Sequence, residues 1–168
     1  MSEIVITPVP LSRERFAPYG DVIAVASSGA TPMNSARFDR FDGLATVDCD
    51  PAGGGQAAIS MIRSRAPTQL PYRIDMVERH PRGSQAFIPL DGTKFIVVVA
   101  VPGESVEPED LRAFVTNGSQ GVNYHRGTWH MPLIATESGR EFVVVDRAGD
   151  DNHEERYFDR PVLLDYEI

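Results

Sequence analysis

The chain contains a single cysteine, Cys49, so it cannot close an internal disulfide. That points to a reducing, cytoplasmic setting, and Cys49 reads as a spare loop residue rather than a nucleophile. No stretch approaches the roughly 20 apolar residues that a membrane helix needs. The longest apolar run, Phe95 to Val101, has the length of a strand. The opening segment MSEIVITPVP lacks the basic start and long apolar stretch of a signal peptide. There is no excess of positive charge either. The net charge of −8 repels nucleic acid and anionic membrane surfaces, so neither is expected as a partner. An anionic small-molecule substrate stays open, because a local arginine can still bind a carboxylate. Repeats and low-complexity segments are absent. The triplet Gly53-Gly54-Gly55 has no lysine and no helix start behind it, which argues against a phosphate-binding loop.

What is present fits one compact unit. A length of 168 residues suits a single domain with a real core, and residues 1–168 are read as one catalytic domain. Ser12 can cap a short helix over Arg13 to Ala17, which Pro18 and Gly20 end. The other apolar runs are short and rich in β-branched and aromatic residues. They predict strands over Ala58–Ile62, Gln85–Leu90, Lys94–Val101, Leu111–Thr116, Met131–Ala135, Glu141–Asp146 and Val162–Tyr166. Asp91-Gly92 reads as a tight hairpin turn between two of them. Ser27 to Asn34 and Pro51 to Gln56 read as surface loops. Many short strands with little helix predict an all-β sandwich or barrel.

Two polar segments hold three of the four histidines. The first runs Glu78-Arg79-His80-Pro81-Arg82-Gly83-Ser84-Gln85. The second runs from Asn117 through Tyr124-His125-Arg126-Gly127-Thr128-Trp129 to His130. On an extended chain, Glu78 and His80 project to the same side, a spacing that suits two ligands on one metal. Gln85 and His130 complete a set of four if the fold brings them together. Glu78 and His80 taken alone read as surface residues near a turn. His153 sits among acidic neighbours and reads as part of a solvated turn.

These spacings resemble the cupin family. Its first motif, His-x-His followed by a glutamate and then a turn glycine, is matched by Glu78-x-His80, Gln85 and Gly92. Its second, Pro-x-Gly-x-x-His, is matched by His125-x-Gly127-x-x-His130. The resemblance implies a cupin-type jelly-roll β-barrel with one or two short helices. It also implies a divalent metal held by Glu78, His80, Gln85 and His130. With Glu78 and Gln85 replacing the usual histidine and glutamate, the donor set suits nickel, manganese, iron or zinc.

Longer stretches narrow the likeness. Phe16-Ala17-Pro18-Tyr19-Gly20-Asp21-Val22-Ile23, Gln85-Ala86-Phe87-Ile88-Pro89-Leu90, Gly118 through Arg126 and Trp129-His130-Met131-Pro132-Leu133 resemble the ureidoglycolate lyase family, formerly called ureidoglycolate hydrolase. That resemblance implies a homodimeric cupin enzyme of allantoin breakdown, which splits ureidoglycolate into glyoxylate and urea. The expected roles follow from the chemistry. Glu78 is a ligand or the general base, and His125 and Tyr124 are candidates to protonate the departing urea. Arg63, Arg112 and Arg126 are candidates to meet the carboxylate, and Trp129 is a core, interface or pocket residue. Two alternatives stand beside this reading. One is an amidohydrolase that releases ammonia and carbon dioxide; the other is a non-catalytic cupin that binds a small molecule.

Overall fold

The computed structural model describes residues 3–26 and 28–167. Met1 and Ser2 of the opening segment, Ser27 of the first expected loop, and Ile168 lie outside them. Among the described residues the one α-helix, α1 (Arg13–Phe16), starts where the sequence places it, with the Ser12 hydroxyl accepting from the Arg15 N–H. Everything else regular is strand, apart from 3₁₀ turns at Pro51–Gly53 and Pro108–Asp110. The strands are β1 (Ile4–Ile6), β2 (Val9–Pro10), β3 (Gly20–Ile23), β4 (Thr31–Met33), β5 (Phe38–Arg40), β6 (Ala57–Arg63) and β7 (Tyr72–Arg79). They continue with β8 (Gln85–Pro89), β9 (Ile96–Ala100), β10 (Arg112–Val115), β11 (Gly121–Tyr124), β12 (Trp129–His130), β13 (Glu141–Arg147) and β14 (Glu154–Leu164).

Two sheets curl toward each other as a half-barrel, the cupin-type jelly roll that the motifs imply. A seven-stranded sheet runs β1-β14-β7-β12-β9-β10-β2, and a five-stranded sheet runs β3-β11-β8-β13-β6. The interior is closed by Val97, Val99 and Phe114 of the larger sheet against Phe87, Phe142 and Val144 of the smaller one. Phe16 of α1 plugs this core, its ring edge-on to Phe114 at 5.5 Å. Each such aromatic or branched side chain contributes about 1.5–3 kcal/mol of burial. The far face of the larger sheet is covered too, with Val98, Ala100, Ala113 and Trp129 packed under Val106 and Phe158. β9 is therefore apolar at every position, because it has no solvent face.

Three expectations need correction. Met131–Ala135 is not a strand. The ladder ends at His130, and beyond it only Ile134 makes an isolated bridge, to Ile96. Asp91-Gly92 does not close a hairpin either. β8 and β9 belong to different sheets, so the turn is a corner where the chain crosses between them. Gly92 takes φ +71° there, and a side chain at Gly118 would strike the Gly92 carbonyl. Thr31–Met33, within the first expected loop, pairs with β5 as an exposed hairpin. The sequence reading also misses β7 and β11, the strands that carry Glu78 and Tyr124.

Candidate metal centre

The ladders set two rows of side chains against each other at one end of the half-barrel. In the larger sheet Glu155 lies opposite Glu78, Glu78 opposite His130, His130 opposite Val99, and Val99 opposite Arg112. In the smaller sheet Gly20 lies opposite Tyr124, Tyr124 opposite Gln85, and Gln85 opposite Asp146. Directly opposed residues share a face of a sheet. The rows touch where the Tyr124 and His130 rings stack at 4.4 Å. They touch again where Gln85 Oε1 stands 3.1 Å from His80 Nε2. Gly127 makes this possible. With φ +76° it turns the chain after His125, and its N–H donates to the His80 carbonyl, which ties the two histidine segments together.

Among the described residues, Glu78, His80 and His130 offer ligand atoms that all lie within 4.8 Å of one another. The outer partners decide which atoms face inward. His80 Nδ1 donates to the Asn152 carbonyl at 2.7 Å, and His130 Nδ1 donates to the Thr128 carbonyl at 2.9 Å. A carbonyl only accepts, so in the neutral imidazoles each Nε2 turns a lone pair toward the cluster. The Gln85 amide N–H donates to Asp146 Oδ2 at 3.2 Å, which leaves its Oε1 facing His80 Nε2. Glu78 Oε1 lies 3.4 Å from His130 Nε2 and 4.0 Å from His80 Nε2. His130 Nε2 is buried and has no hydrogen-bond partner. Lone pairs that converge without protons between them fit a cation, and two imidazoles, a carboxylate and an amide oxygen suit a borderline divalent ion.

The electrostatics agree. Burial, followed by the nearby His130, holds His80 below its ordinary range, so it stays neutral and ready to ligate. Burial pushes Glu78 up, but a proton on His130, and then on His80 or His153, outweighs it, and the net shift is downward. Glu78 is therefore anionic at neutral pH. Tyr124 is fully buried, and burial together with the Glu78 charge pushes its hydroxyl far above the usual phenol range. That hydroxyl has no partner. It keeps its proton at neutral pH, so it can offer a hydrogen bond but is a poor acid and cannot serve as a base.

The other sequence candidates lie elsewhere. His125 follows Tyr124 on an extended chain and points away from it, half exposed, with Nε2 3.2 Å from Asp21 Oδ1. Arg126 is gripped by both Asp48 oxygens, at 2.8 and 2.5 Å. Arg63 is paired with Glu141, which stands five residues before Asp146 on β13, roughly 17 Å along the strand from the cluster. Arg112 occupies the row of His130, two strands and about 10 Å away. Its guanidinium donates only to the carbonyls of Glu109 and Leu111, and no described carboxylate neutralises it. Trp129 is core, with its N–H on the Gly103 carbonyl and the Arg79 guanidinium over its ring at 4.8 Å.

Sequence reasoning missed His153, Asn152 and Asp146. His153 Nδ1 lies 3.7 Å from Glu78 Oε2, and its ring lies 5.8 Å from that of His80. The acidic run Asp150–Glu155 is exposed apart from Asn152, as the sequence suggests; what the sequence does not show is that Glu154 and Glu155 pair with β7 and bring His153 beside Glu78.

A jelly-roll half-barrel with a His/His/Glu cluster at one end is that of a cupin-like protein, and the cluster could hold a metal ion. The family model described as "Ureidoglycolate lyase" matches residues 3–165, and the chain belongs to that family. It is 48% identical over 159 residues to a ureidoglycolate lyase of Pseudomonas aeruginosa strain LESB58, covering 93% of each chain. It is also 48% identical over 163 residues to one of Stutzerimonas stutzeri strain A1501, covering 95% of each. Among solved structures, a dTDP sugar isomerase from Desulfovibrio desulfuricans G20 aligns over 84% of this chain and 83% of its own, at 14% identity and TM-score 0.38. No helix among the described residues is long and apolar enough to cross a membrane.

Proposed function

We propose that this chain is a ureidoglycolate lyase, splitting ureidoglycolate into glyoxylate and urea in allantoin (purine) degradation, at the cluster of Glu78, His80, Gln85 and His130. What carries the reading is that cluster, set against the buried Tyr124 hydroxyl, in a chain of this family. In the reaction the substrate hydroxyl loses its proton, the C–O bond becomes C=O, and the C–N bond breaks. The bond's electron pair leaves on the urea nitrogen, which takes up a proton. No net proton is consumed.

Glu78, His80, Gln85 and His130 would hold a divalent ion, with nickel, manganese, iron and zinc as the candidates. Such an ion supplies positive charge that lowers the pKa of the substrate hydroxyl and holds the adjacent carboxylate. The depressed pKa of Glu78 makes it a weak base and a good ligand, which favours the ligand role over the base role. Tyr124 keeps its O–H beside the cluster and is the better-placed hydrogen-bond donor to the charge that develops on the departing nitrogen. His125 faces Asp21 instead. Arg112 is the arginine free to meet the substrate carboxylate, because Arg63 and Arg126 are each held by an acid. We place the enzyme in the cytoplasm, as a homodimer.

Product analysis with metal determination on the purified protein tests this. Urea in step with glyoxylate, with about one divalent ion per chain, is the expected result. Ammonia without urea would mean hydrolysis at the carbonyl. Binding without turnover, with metal supplied, would mean a sensor.

A further inference from the structure

We propose that the free edge of β6 is the surface on which a second copy of this chain docks, β6 pairing antiparallel with β6 about a two-fold axis at Ser60. β6 ends the five-stranded sheet and pairs only with β13. Among the described residues, no other backbone hydrogen bond reaches 57–63, so the outward N–H and C=O groups of the strand are unpaired. Both faces are open as well. Ile59 is 77% exposed and Met61 59% on one face, and Ile62 is 40% exposed on the other. Val145 and Val143 lie opposite Ile59 and Met61 and continue the apolar strip into the sheet. A long apolar edge with no proline, lysine, bulge or inward charge invites pairing unless something covers it.

The sequence of the strand argues for a second copy as that cover. Turned about Ser60, Ala57-Ala58-Ile59-Ser60-Met61-Ile62-Arg63 is self-complementary. Ile59 meets Met61 on one face, Ala58 meets Ile62 on the other, and Ala57 meets Arg63. Residues 57–63 contain no acid, so two copies of a chain of net charge −8 approach here without carboxylate repulsion. Arg63, the one charge, lies at the strand end and is already bound to Glu141. Any partner would have to bring a free strand edge with a neutral apolar flank. A second copy brings one by construction, as an isologous interface requires. Ala58 also lies in the row of Asp146 and Gln85, so the pairing would brace the sheet that orients Gln85.

This inference rests on the homodimer reading for the number of copies and goes beyond it in surface and register. Light scattering on the unmodified chain gives the number of copies. In a Cys49→Ser background, Ser60→Cys then tests the register. At the two-fold axis the two Cα atoms stand about 4.5–5.5 Å apart, within disulfide span. Mild oxidation should convert Ser60→Cys to a covalent dimer on a non-reducing gel and leave Ala57→Cys, six residues out of register, unlinked. Ile59→Lys with Met61→Lys should raise the dimer dissociation constant at least about 100-fold through like-charge repulsion. If that pair fails to fold, the cysteine series still decides. A dimer by mass in which Ser60→Cys stays unlinked overturns the β6 edge and spares the dimer. A monomeric unmodified chain overturns both. Turnover of ureidoglycolate, assayed separately, tests the lyase reading independently of either.

Discussion

The two sheets are built from similar residues and end in opposite situations. The seven-stranded sheet is covered on both faces at its centre, where β9 has no exposed position. The five-stranded sheet is covered on one face, and β6 has no fully buried residue. The covered sheet carries Glu78 and His130, while the half-open one carries Gln85 and Tyr124. The difference teaches where precision is needed. Converging lone pairs must be held against mutual repulsion, and a strand locked on both faces does that better than one free to twist. The open sheet contributes its two site residues from its inner strands and leaves its outer strand for contact.

The largest effect should come from the locked sheet. Glu78→Ala or His130→Ala should bring turnover to background and reduce divalent-ion affinity by more than the roughly 10–100-fold that loss of an outer partner costs. Calorimetric titration with manganese or nickel alongside the activity assay checks both. Wild-type activity in either variant would remove the site from this end of the barrel.

Next comes Tyr124→Phe, which keeps the ring on His130 and removes only the hydroxyl. It should lower kcat by about 10²–10³-fold, the scale of one preorganised hydrogen-bond donor, with little change in metal affinity. An unchanged kcat would return the donor role to His125.

Packing gives a direct contrast. Phe142→Ala empties the shared core and should cost about 3–5 kcal/mol in urea unfolding. Leu90→Ser, on the exposed side, should stay within about 0.5 kcal/mol. Equal costs would mean that the outer surface of the small sheet is covered more widely than along β6.

Among the arginines, Arg112→Ala should raise KM for ureidoglycolate about tenfold or more, the scale of one charge-assisted hydrogen bond. Arg63→Ala and Arg126→Ala should leave it nearly unchanged. The reverse order would move the carboxylate site to the smaller sheet.

The smallest effect is acid sensitivity of the chain without added metal. The depressed pKa of His80 means that the unfolded chain takes up a proton near pH 6.5 that the folded chain declines, so stability falls as the pH drops below that value. Glu78 adds a contribution present above pH 4.5 and lost as pH falls through its lower folded value. Each proton accounts for at most about 1.4 kcal/mol per pH unit. Unfolding midpoints that rise on acidification from pH 7 to 5 would contradict the buried, neutral state of His80.

Much of the fold was legible because strand signals are local. Ile96–Ala100 and Glu141–Arg147 announce themselves by β-branched runs, and Ser12 announces its helix by a cap. β7 was not, since Tyr-Arg-Ile-Asp-Met-Val-Glu-Arg mixes charges into a strand that is covered by β12 and β14 rather than by its own pattern. The four cluster residues were legible from spacing and family likeness. The separation of Tyr124 from His125 was not, because adjacent letters look equivalent until the pleat sends them to opposite sides.

By itself, then, the sequence determined which residues were available: a strand-rich chain, acidic, with imidazoles, a carboxylate and an amide at metal-binding spacings. Only the tertiary structure decided which of them meet. Register placed Glu78 beside His130 and Gln85 beside Asp146, and the carbonyls of Asn152 and Thr128 turned both imidazole lone pairs inward. Those partners lie 72 residues from His80 and two residues from His130, and no local rule distinguishes the distant one from any other backbone carbonyl. The closing of two sheets was needed to bring it there.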